Sequence, residues 1–118
     1  MAEELEPVRV LGENAEHVAE DPPLRIDRRS RASALKELAA GFVDFPDGGE
    51  MGPWTLPYEE VFYVVTGTLS LHYGERTVSG GPGAVLAIQR GATVTYEGAP
   101  GTRVFYSLVP ANWMESQA

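Results

Sequence analysis

The sequence has no cysteine, few basic residues and no long apolar run, and each absence excludes a class of protein. Without cysteine there are no disulfides, thiolate metal ligands or cysteine nucleophiles. Nine Lys and Arg against 17 Asp and Glu give a net charge of -8, which repels nucleic acid and anionic lipid. No run approaches the length of a membrane span, and the start, MAEELEPVRV, does not resemble a signal peptide. We therefore expect a cytoplasmic protein that binds neither nucleic acid nor membranes.

What the sequence does contain predicts one small domain made of short strands. It has 118 residues, and its 13 Gly and 9 Pro favour turns over long helices. From residue 41 onward, turn signals separate short runs rich in β-branched and aromatic residues: GFVDF, EVFYVVTG, TLSLHYG, RTVS, AVLAIQ, ATVTYE and RVFYSLV. This spacing predicts an all-β sandwich or closed barrel over residues 38–118.

The N-terminal third differs from the rest in charge. Residues 2–22 carry seven acids and one base, whereas residues 23–37 carry five bases and two acids. We interpret residues 1–37 as an arm or extra strands that pack on the barrel or exchange between subunits, with a solvated tail as the alternative. The run SALKELAA, residues 33–40, predicts one short helix, with a helical turn or an irregular strand as alternatives. We interpret the arginines of this region as part of a solvated face or of a subunit contact: Arg25, Arg28, Arg29 and Arg31.

Two segments framed by glycines have a recognisable spacing. The first reads G-x5-W-x-L-x3-E-x6-G from Gly48 to Gly67, and the second reads G-x5-Q-x-G-x2-V from Gly83 to Val94. They resemble the paired motifs of the cupin family, G-x5-H-x-H-x3-E-x6-G and G-x5-P-x-G-x2-H. The resemblance covers roughly residues 41–110 and implies a single double-stranded β-helix, that is, a jelly-roll barrel.

This sequence departs from the cupin motifs at their metal-binding positions. In typical cupins three His and one Glu hold a divalent metal. Here the His positions hold Trp54, Leu56 and Val94, and only Glu60 is retained. A single carboxylate is too few ligands for a transition metal. The sequence therefore predicts a cupin without a metal, and it indicates no other cofactor.

A narrower resemblance is carried by PWTLPYEE, residues 53–60, and by PANW, residues 110–113. Both are similar to the cupin domain of ethanolamine-utilization proteins of the EutQ type, which also replace the metal-binding His. The resemblance implies an accessory protein of ethanolamine utilization, either a microcompartment component or an enzyme with acetate kinase activity. The sequence has no glycine-rich phosphate loop with a Lys, so it gives no nucleotide site.

The cupin register predicts an apolar pocket around Glu60. Alternation along the strand places Glu60, Phe62 and Val64 on the inner face. Glu60 and Tyr58 are the candidate catalytic residues, because burial raises the pKa of a carboxyl and a tyrosine can donate a hydrogen bond. The alternative is a structural acid that pairs with Arg103 or with a backbone amide. The candidate pocket residues are Met51, Trp54, Leu56, Phe62, Val64, Gln89, Val94 and Tyr96.

Three functions from different classes fit these residues. The first is a cofactor-free enzyme that isomerises, cyclises or eliminates from a small metabolic or natural-product intermediate, with Glu60 moving the proton. The second is a EutQ-like accessory protein of ethanolamine utilization. The third is a cupin that binds a small molecule without converting it. By analogy with other cupins we expect a homodimer.

Overall fold

The computed structural model describes residues 7–117, which form two antiparallel sheets and three short 3₁₀ helices. The helices are Ala15–His17, Arg29–Ala32 and Trp113–Gln117, and none of them is long and apolar enough to cross a membrane. The ten strands of the described residues are Val18–Asp21 (β1), Leu24–Asp27 (β2), Ala39–Phe45 (β3), Gly49–Thr55 (β4), Glu59–Thr66 (β5), Leu69–Tyr73 (β6), Arg76–Gly80 (β7), Val85–Ile88 (β8), Thr93–Gly98 (β9) and Thr102–Val109 (β10).

The strands divide into a six-stranded sheet, in the order β1-β2-β3-β10-β5-β8, and a four-stranded sheet, in the order β4-β9-β6-β7. Neighbouring strands are antiparallel throughout. Apolar side chains from both sheets fill the core, and Phe45, Val64, Leu69 and Val104 are each at most 1% exposed. The predicted all-β jelly-roll fold is confirmed.

Alternation along the strands decides which side chains face the interior. In β5, Glu60, Phe62 and Val64 are buried, whereas Val61 and Tyr63 are exposed. In β10 the same period buries four side chains: Thr102, Val104, Tyr106 and Leu108. Glu60 therefore faces the interior together with its apolar neighbours, as its register predicted.

The predicted short helix over residues 33–40 is wrong. Residues 33–38 contain only bends, and Ala39 and Ala40 begin β3. Ala39 lies opposite Leu108 in the pairing of β3 with β10. An eight-residue helix forms too few hydrogen bonds to offset its nucleation, whereas the strand pairs its backbone groups with a neighbour. Tertiary pairing therefore overrides the helix propensity of this run.

The strand β4 occupies a Gly- and Pro-containing stretch that is absent from the strand-like runs found in the sequence. Gly49–Thr55 pairs with β9 on both sides of an irregularity, with Met51 opposite Tyr96 and Trp54 opposite Val94. The register shifts between Met51 and Trp54, so Pro53 lies in a bulge. A bulge tolerates Pro because that residue does not have to donate a hydrogen bond to the ladder. The bulge returns Trp54 to the ladder at the start of the candidate site.

The N-terminal region contributes a hairpin to the larger sheet. β1 and β2 pair with each other, and β2 pairs with β3, so that Ile26 lies opposite Val43. Residues 1–6 of the predicted arm lie outside the described residues. Exchange of this region between subunits stays a prediction.

Candidate functional site

A cavity of about 480 Å³ lies between the two sheets. Small-molecule sites typically have volumes of about 300–1,000 Å³. Its wall includes side chains of both sheets, of residues 28–38 and of residues 111–114. We call its exposed lining residues the cavity mouth: Arg31, Leu35, Leu38 and Met114. The deeper wall is mostly apolar and aromatic, with a few polar groups.

The Glu60 carboxyl is the buried acid of this wall. Its residue is 7% exposed, and its Oε1 accepts a hydrogen bond from the Tyr96 hydroxyl at 3.3 Å. Burial raises the pKa of Glu60 to about 8, and the hydrogen bond from Tyr96 opposes part of that rise. Arg103, the alternative partner, instead places its Nη1 3.1 Å from both carboxylate oxygens of Asp44. Glu60 is therefore a buried acid whose two protonation states are both populated near neutral pH.

Three tyrosine hydroxyls surround the carboxyl. Burial is the largest cause of the raised pKa of Tyr58 and Tyr96, and the charge of Glu60 raises both further. Burial likewise raises the pKa of Tyr106. The Trp54 Nε1 donates to the Tyr58 hydroxyl at 3.2 Å, which fixes that ring in the cavity wall. These neutral hydroxyls can donate hydrogen bonds to a bound molecule without adding charge.

An aromatic cluster forms one side of the cavity. Trp113, from the last 3₁₀ helix, packs edge-on against Trp54 with ring centroids 5.8 Å apart and lies 5.1 Å from the Tyr58 ring. Deeper in the cavity, Phe62 packs edge-on against Tyr96 at 5.8 Å. Such pairs hold large flat surfaces in fixed positions. The cavity therefore presents aromatic faces to a ligand together with the polar groups around Glu60.

The structure brings together six of the ten candidate site residues. Those that line the cavity are Met51, Trp54, Tyr58, Glu60, Phe62 and Tyr96. Leu56, Val64 and Val94 are instead packed in the core, each at most 3% exposed, and are not among the lining residues of the described chain. Their apolar side chains are covered on all sides by neighbours, so they support the wall from behind.

Gln89 lies outside the cavity, which corrects the expectation that it forms part of the pocket. Leu86 and Ile88 of β8 face the interior, so the next position, Gln89, faces outward and is exposed. It lines a second pocket with Glu59 and Ala87, and this pocket shares Leu38, Glu60 and Leu108 with the cavity. The motif spacing located the position correctly but could not give the direction of its side chain.

Sequence analysis missed several residues of the wall. Tyr106 could have been found from the alternation of RVFYSLV, because it shares the inner face of β10 with Val104 and Leu108. Arg28 and Arg31 also line the cavity, although the sequence suggested a solvated face or subunit contact for them. No local pattern distinguishes these two arginines from Arg25 or Arg29.

The residues of the cavity do not fit the metal of typical cupins. The three His positions hold Trp54, Leu56 and Val94, whose side chains offer no ligand atom, and Glu60 alone is a carboxylate. A different group, Glu50, His72 and Glu97, lies outside the cavity with ligand atoms within 4.8 Å of one another. Both ring nitrogens of its histidine already have protein partners, Thr77 at 2.8 Å and Glu97 at 2.7 Å.

The jelly roll and its interior cavity define a cupin. An RmlC-like cupin from Shewanella frigidimarina superposes with a TM-score of 0.71 and 15% identity, over 88% of this chain and 93% of that one. The Clostridium difficile EutQ protein superposes with a TM-score of 0.65 and 23% identity, over 87% of this chain and 83% of that one. At these identities the likeness establishes the fold alone.

The sequence places the chain in one family of cupins. The family model described as "Ethanolamine utilisation protein EutQ" matches residues 30–115, and the chain belongs to this family. The acetate kinase EutQ of Salmonella typhimurium is 32% identical over 76 residues, which are 64% of this chain and 32% of that protein. The chain thus spans about a third of the length of the curated relatives that it matches.

Proposed function

We propose that the protein binds a small organic molecule in the cavity and transfers a proton to or from that molecule with the Glu60 carboxyl. The observation that carries this proposal is a buried Glu60 on the wall of a cavity large enough for a ligand, with a pKa of about 8. An acid with a pKa near the working pH exchanges protons most efficiently in both directions. The proposal makes the chain a metal-independent cupin enzyme.

The surrounding groups favour reactions that consist of proton transfers. Tyr58 can donate a hydrogen bond to a carbonyl or hydroxyl oxygen of a substrate, because its oxygen accepts from Trp54 and its own proton is available. The Tyr96 hydroxyl donates to Glu60 and can accept a hydrogen bond from a substrate hydroxyl. The aromatic walls orient an apolar body by shape. Isomerisation, elimination and cyclisation all fit, because each needs a proton removed at one atom and delivered at another, with no change in the oxidation state of a cofactor.

The test begins with finding ligands by the fluorescence of Trp54 and Trp113, which both line the cavity. Each compound that binds is incubated with the protein in D₂O, and deuterium exchange and product formation are followed by NMR. We expect exchange with the wild type and a loss of about 100-fold or more in Glu60→Gln. Glu59→Gln is the matched control, because this neighbouring carboxylate is exposed and outside the cavity.

The outcomes separate the candidate functions. Exchange that persists in Glu60→Gln contradicts a proton-transfer role for Glu60. A ligand that binds but shows neither exchange nor conversion contradicts an enzyme and favours a cupin that only binds.

A second candidate function follows from the curated relatives, which are named acetate kinases and are 30–35% identical over the matched region. In that function, acetate and ATP form acetyl phosphate and ADP. The chain corresponds to about a third of those proteins, so it represents the cupin part of such an enzyme. Trapping acetyl phosphate as its hydroxamate tests this candidate directly. An ATP-dependent product with this chain supports it, and none in the presence of Mg²⁺ and ATP contradicts it.

A further inference from the structure

Two arginines, Arg28 and Arg31, lie on the cavity wall. Arg28 is half-buried, Arg31 is exposed at the cavity mouth, and both line the cavity. Among the described residues, no carboxylate forms an ion pair with either one. The other arginines nearby are paired: Arg25 with Glu13, Glu20 and Asp44, Arg29 with Asp27, and Arg103 with Asp44. In a chain of net charge -8, two unpaired guanidinium groups at one cavity are an unusual concentration of positive charge.

The local backbone explains why these two side chains act together. The Arg31 N–H donates to the Arg28 carbonyl at 3.1 Å, in the turn that begins the helix Arg29–Ala32. Arg28 is the N-cap that precedes this helix and Arg31 lies within it, and the side chains of both line the cavity.

Arg29 holds the turn in place from its other side. Its Nε donates to the buried Asp27 carboxylate at 2.7 Å, and its Nη1 donates to the Leu11 carbonyl at 3.0 Å. Its guanidinium also lies 5.0 Å from the centre of the Phe42 ring. The two unpaired arginines are therefore attached to a fixed segment of backbone.

Acidic groups are scarce on the described wall of the cavity. Among the described lining residues, Glu60 is the one acidic side chain, and its raised pKa keeps it largely protonated at pH 7. Both guanidinium groups act on the Tyr106 hydroxyl: burial raises the pKa of Tyr106, the charges of Arg28 and Arg31 oppose that rise, and Glu60 and the buried Asp27 add to it. The positive charge of the two arginines therefore acts on a residue of the inner wall.

We propose that the ligand of this cavity is an organic anion with an apolar body. Its carboxylate or phosphate binds Arg28 and Arg31, since the guanidinium fork matches both groups, and its body lies against Trp54 and Phe62 with the reacting atoms at Glu60. An apolar body is required because the deep wall is apolar and aromatic and would be poorly matched by a small hydrophilic anion. This inference rests on the proposed function, in that it takes the cavity as the ligand site.

Matched pairs of acid and neutral amide test the inference. The probes are benzoate with benzamide, phenylpropionate with phenylpropionamide, and hexanoate with hexanamide, and binding is followed by tryptophan fluorescence. We expect the wild type to bind the acid of a pair about tenfold more tightly or better, because charge-assisted hydrogen bonds are lost in the amide. Phenyl phosphate against benzoate then decides between a phosphate and a carboxylate head, and either preference supports an anion site.

Variants assign the preference to the two arginines. Arg28→Gln/Arg31→Gln should abolish the preference for the acid and leave amide binding within about threefold of the wild type, whereas Arg28→Lys/Arg31→Lys should retain part of the preference. Arg76→Gln/Arg90→Gln removes the same charge from exposed sites outside the cavity and should behave as the wild type.

The possible failures are distinguishable. Equal binding of acid and amide by the wild type, or an acid preference that survives in Arg28→Gln/Arg31→Gln, overturns the anion site while leaving the cavity a ligand site. Failure of every acid and every amide to bind contradicts the proposed function itself, and the anion site with it.

Discussion

Replacing Glu60 with Gln should make the protein more stable at neutral pH, and the gain should grow with pH. Glu60 has an ordinary pKa of 4.5 when unfolded, and burial raises its pKa to about 8 in the folded chain. Between these values the folded state holds a proton that the unfolded state releases. The contribution of Glu60 to folding is therefore intact below pH 4.5 and is lost as the pH rises toward 8. Gln cannot ionise, so it does not share this loss.

The size of the effect follows from the same two pKa values. Each pH unit between them costs about 1.4 kcal/mol of the free energy of unfolding. From pH 4.5 to pH 7 the loss is about 3 kcal/mol, and it approaches about 5 kcal/mol above pH 8. Small domains are stable by about 5–15 kcal/mol, so this is a large part of the total.

Urea unfolding, followed by tryptophan fluorescence at pH values from 4.5 to about 8, measures the difference directly. The free energy of unfolding of Glu60→Gln minus that of the wild type should rise by about 3 kcal/mol between pH 4.5 and pH 7. Losing the hydrogen bond from Tyr96 in the variant changes this free-energy difference by the same amount at every pH, so it does not affect the slope of the difference against pH. Glu59→Gln is the control and should run parallel to the wild type, since Glu59 is exposed. Parallel curves for Glu60→Gln and the wild type would refute the raised pKa.

Two further predictions concern the ion pair beside the cavity and the outer face of the larger sheet. Asp27 is fully buried against Arg29, so Asp27→Ala should lower the free energy of unfolding, measured by urea unfolding, by about 3 kcal/mol. Asp21→Ala, at an exposed position, is the control and should change that free energy little. Equal effects of the two substitutions would contradict a structural ion pair. If the expected homodimer uses the apolar outer face of β5 and β8, analytical ultracentrifugation should show a dimer for the wild type and a monomer for Val85→Glu, since Val85 lies exposed on β8. Val78→Glu, at an exposed position on β7, is the control and should remain a dimer. A monomeric wild type would contradict the expected homodimer.

The strands could be predicted because their signal is local. A run such as EVFYVVTG carries its own alternation, and burying one face fixes the direction of every side chain in it. Where local and tertiary preferences conflict, the sequence misleads. Residues 33–40 favour a helix alone but form part of a strand beside β10, and Gly49–Thr55 forms a strand despite its Gly and Pro, because a bulge accommodates them.

The site could be predicted only in part, for a related reason. Glu60 stands at a fixed place in a motif, so its inward direction follows from the register. Arg28 and Arg31 belong to a basic run in which Arg25 and Arg29 look the same. What separates the two pairs is which acids the guanidinium groups reach: Glu13 and Asp44 for Arg25, and Asp27 for Arg29. Asp27 is next to Arg28 in the sequence but pairs with Arg29, so the folded backbone decides the partner.

The partners of Glu60 bear on why a carboxyl stands at this position. A structural acid recovers the cost of its burial through an ion pair, as Asp27 does with Arg29. Among the described residues no basic side chain forms an ion pair with Glu60, and Arg103 is held by Asp44 and by the Phe42 ring, 4.1 Å away. A single hydrogen bond from Tyr96 at 3.3 Å does not prevent the rise in its pKa. We therefore expect Glu60 to lower the stability of the fold at neutral pH, which supports the proposal that it is kept for proton transfer rather than for packing.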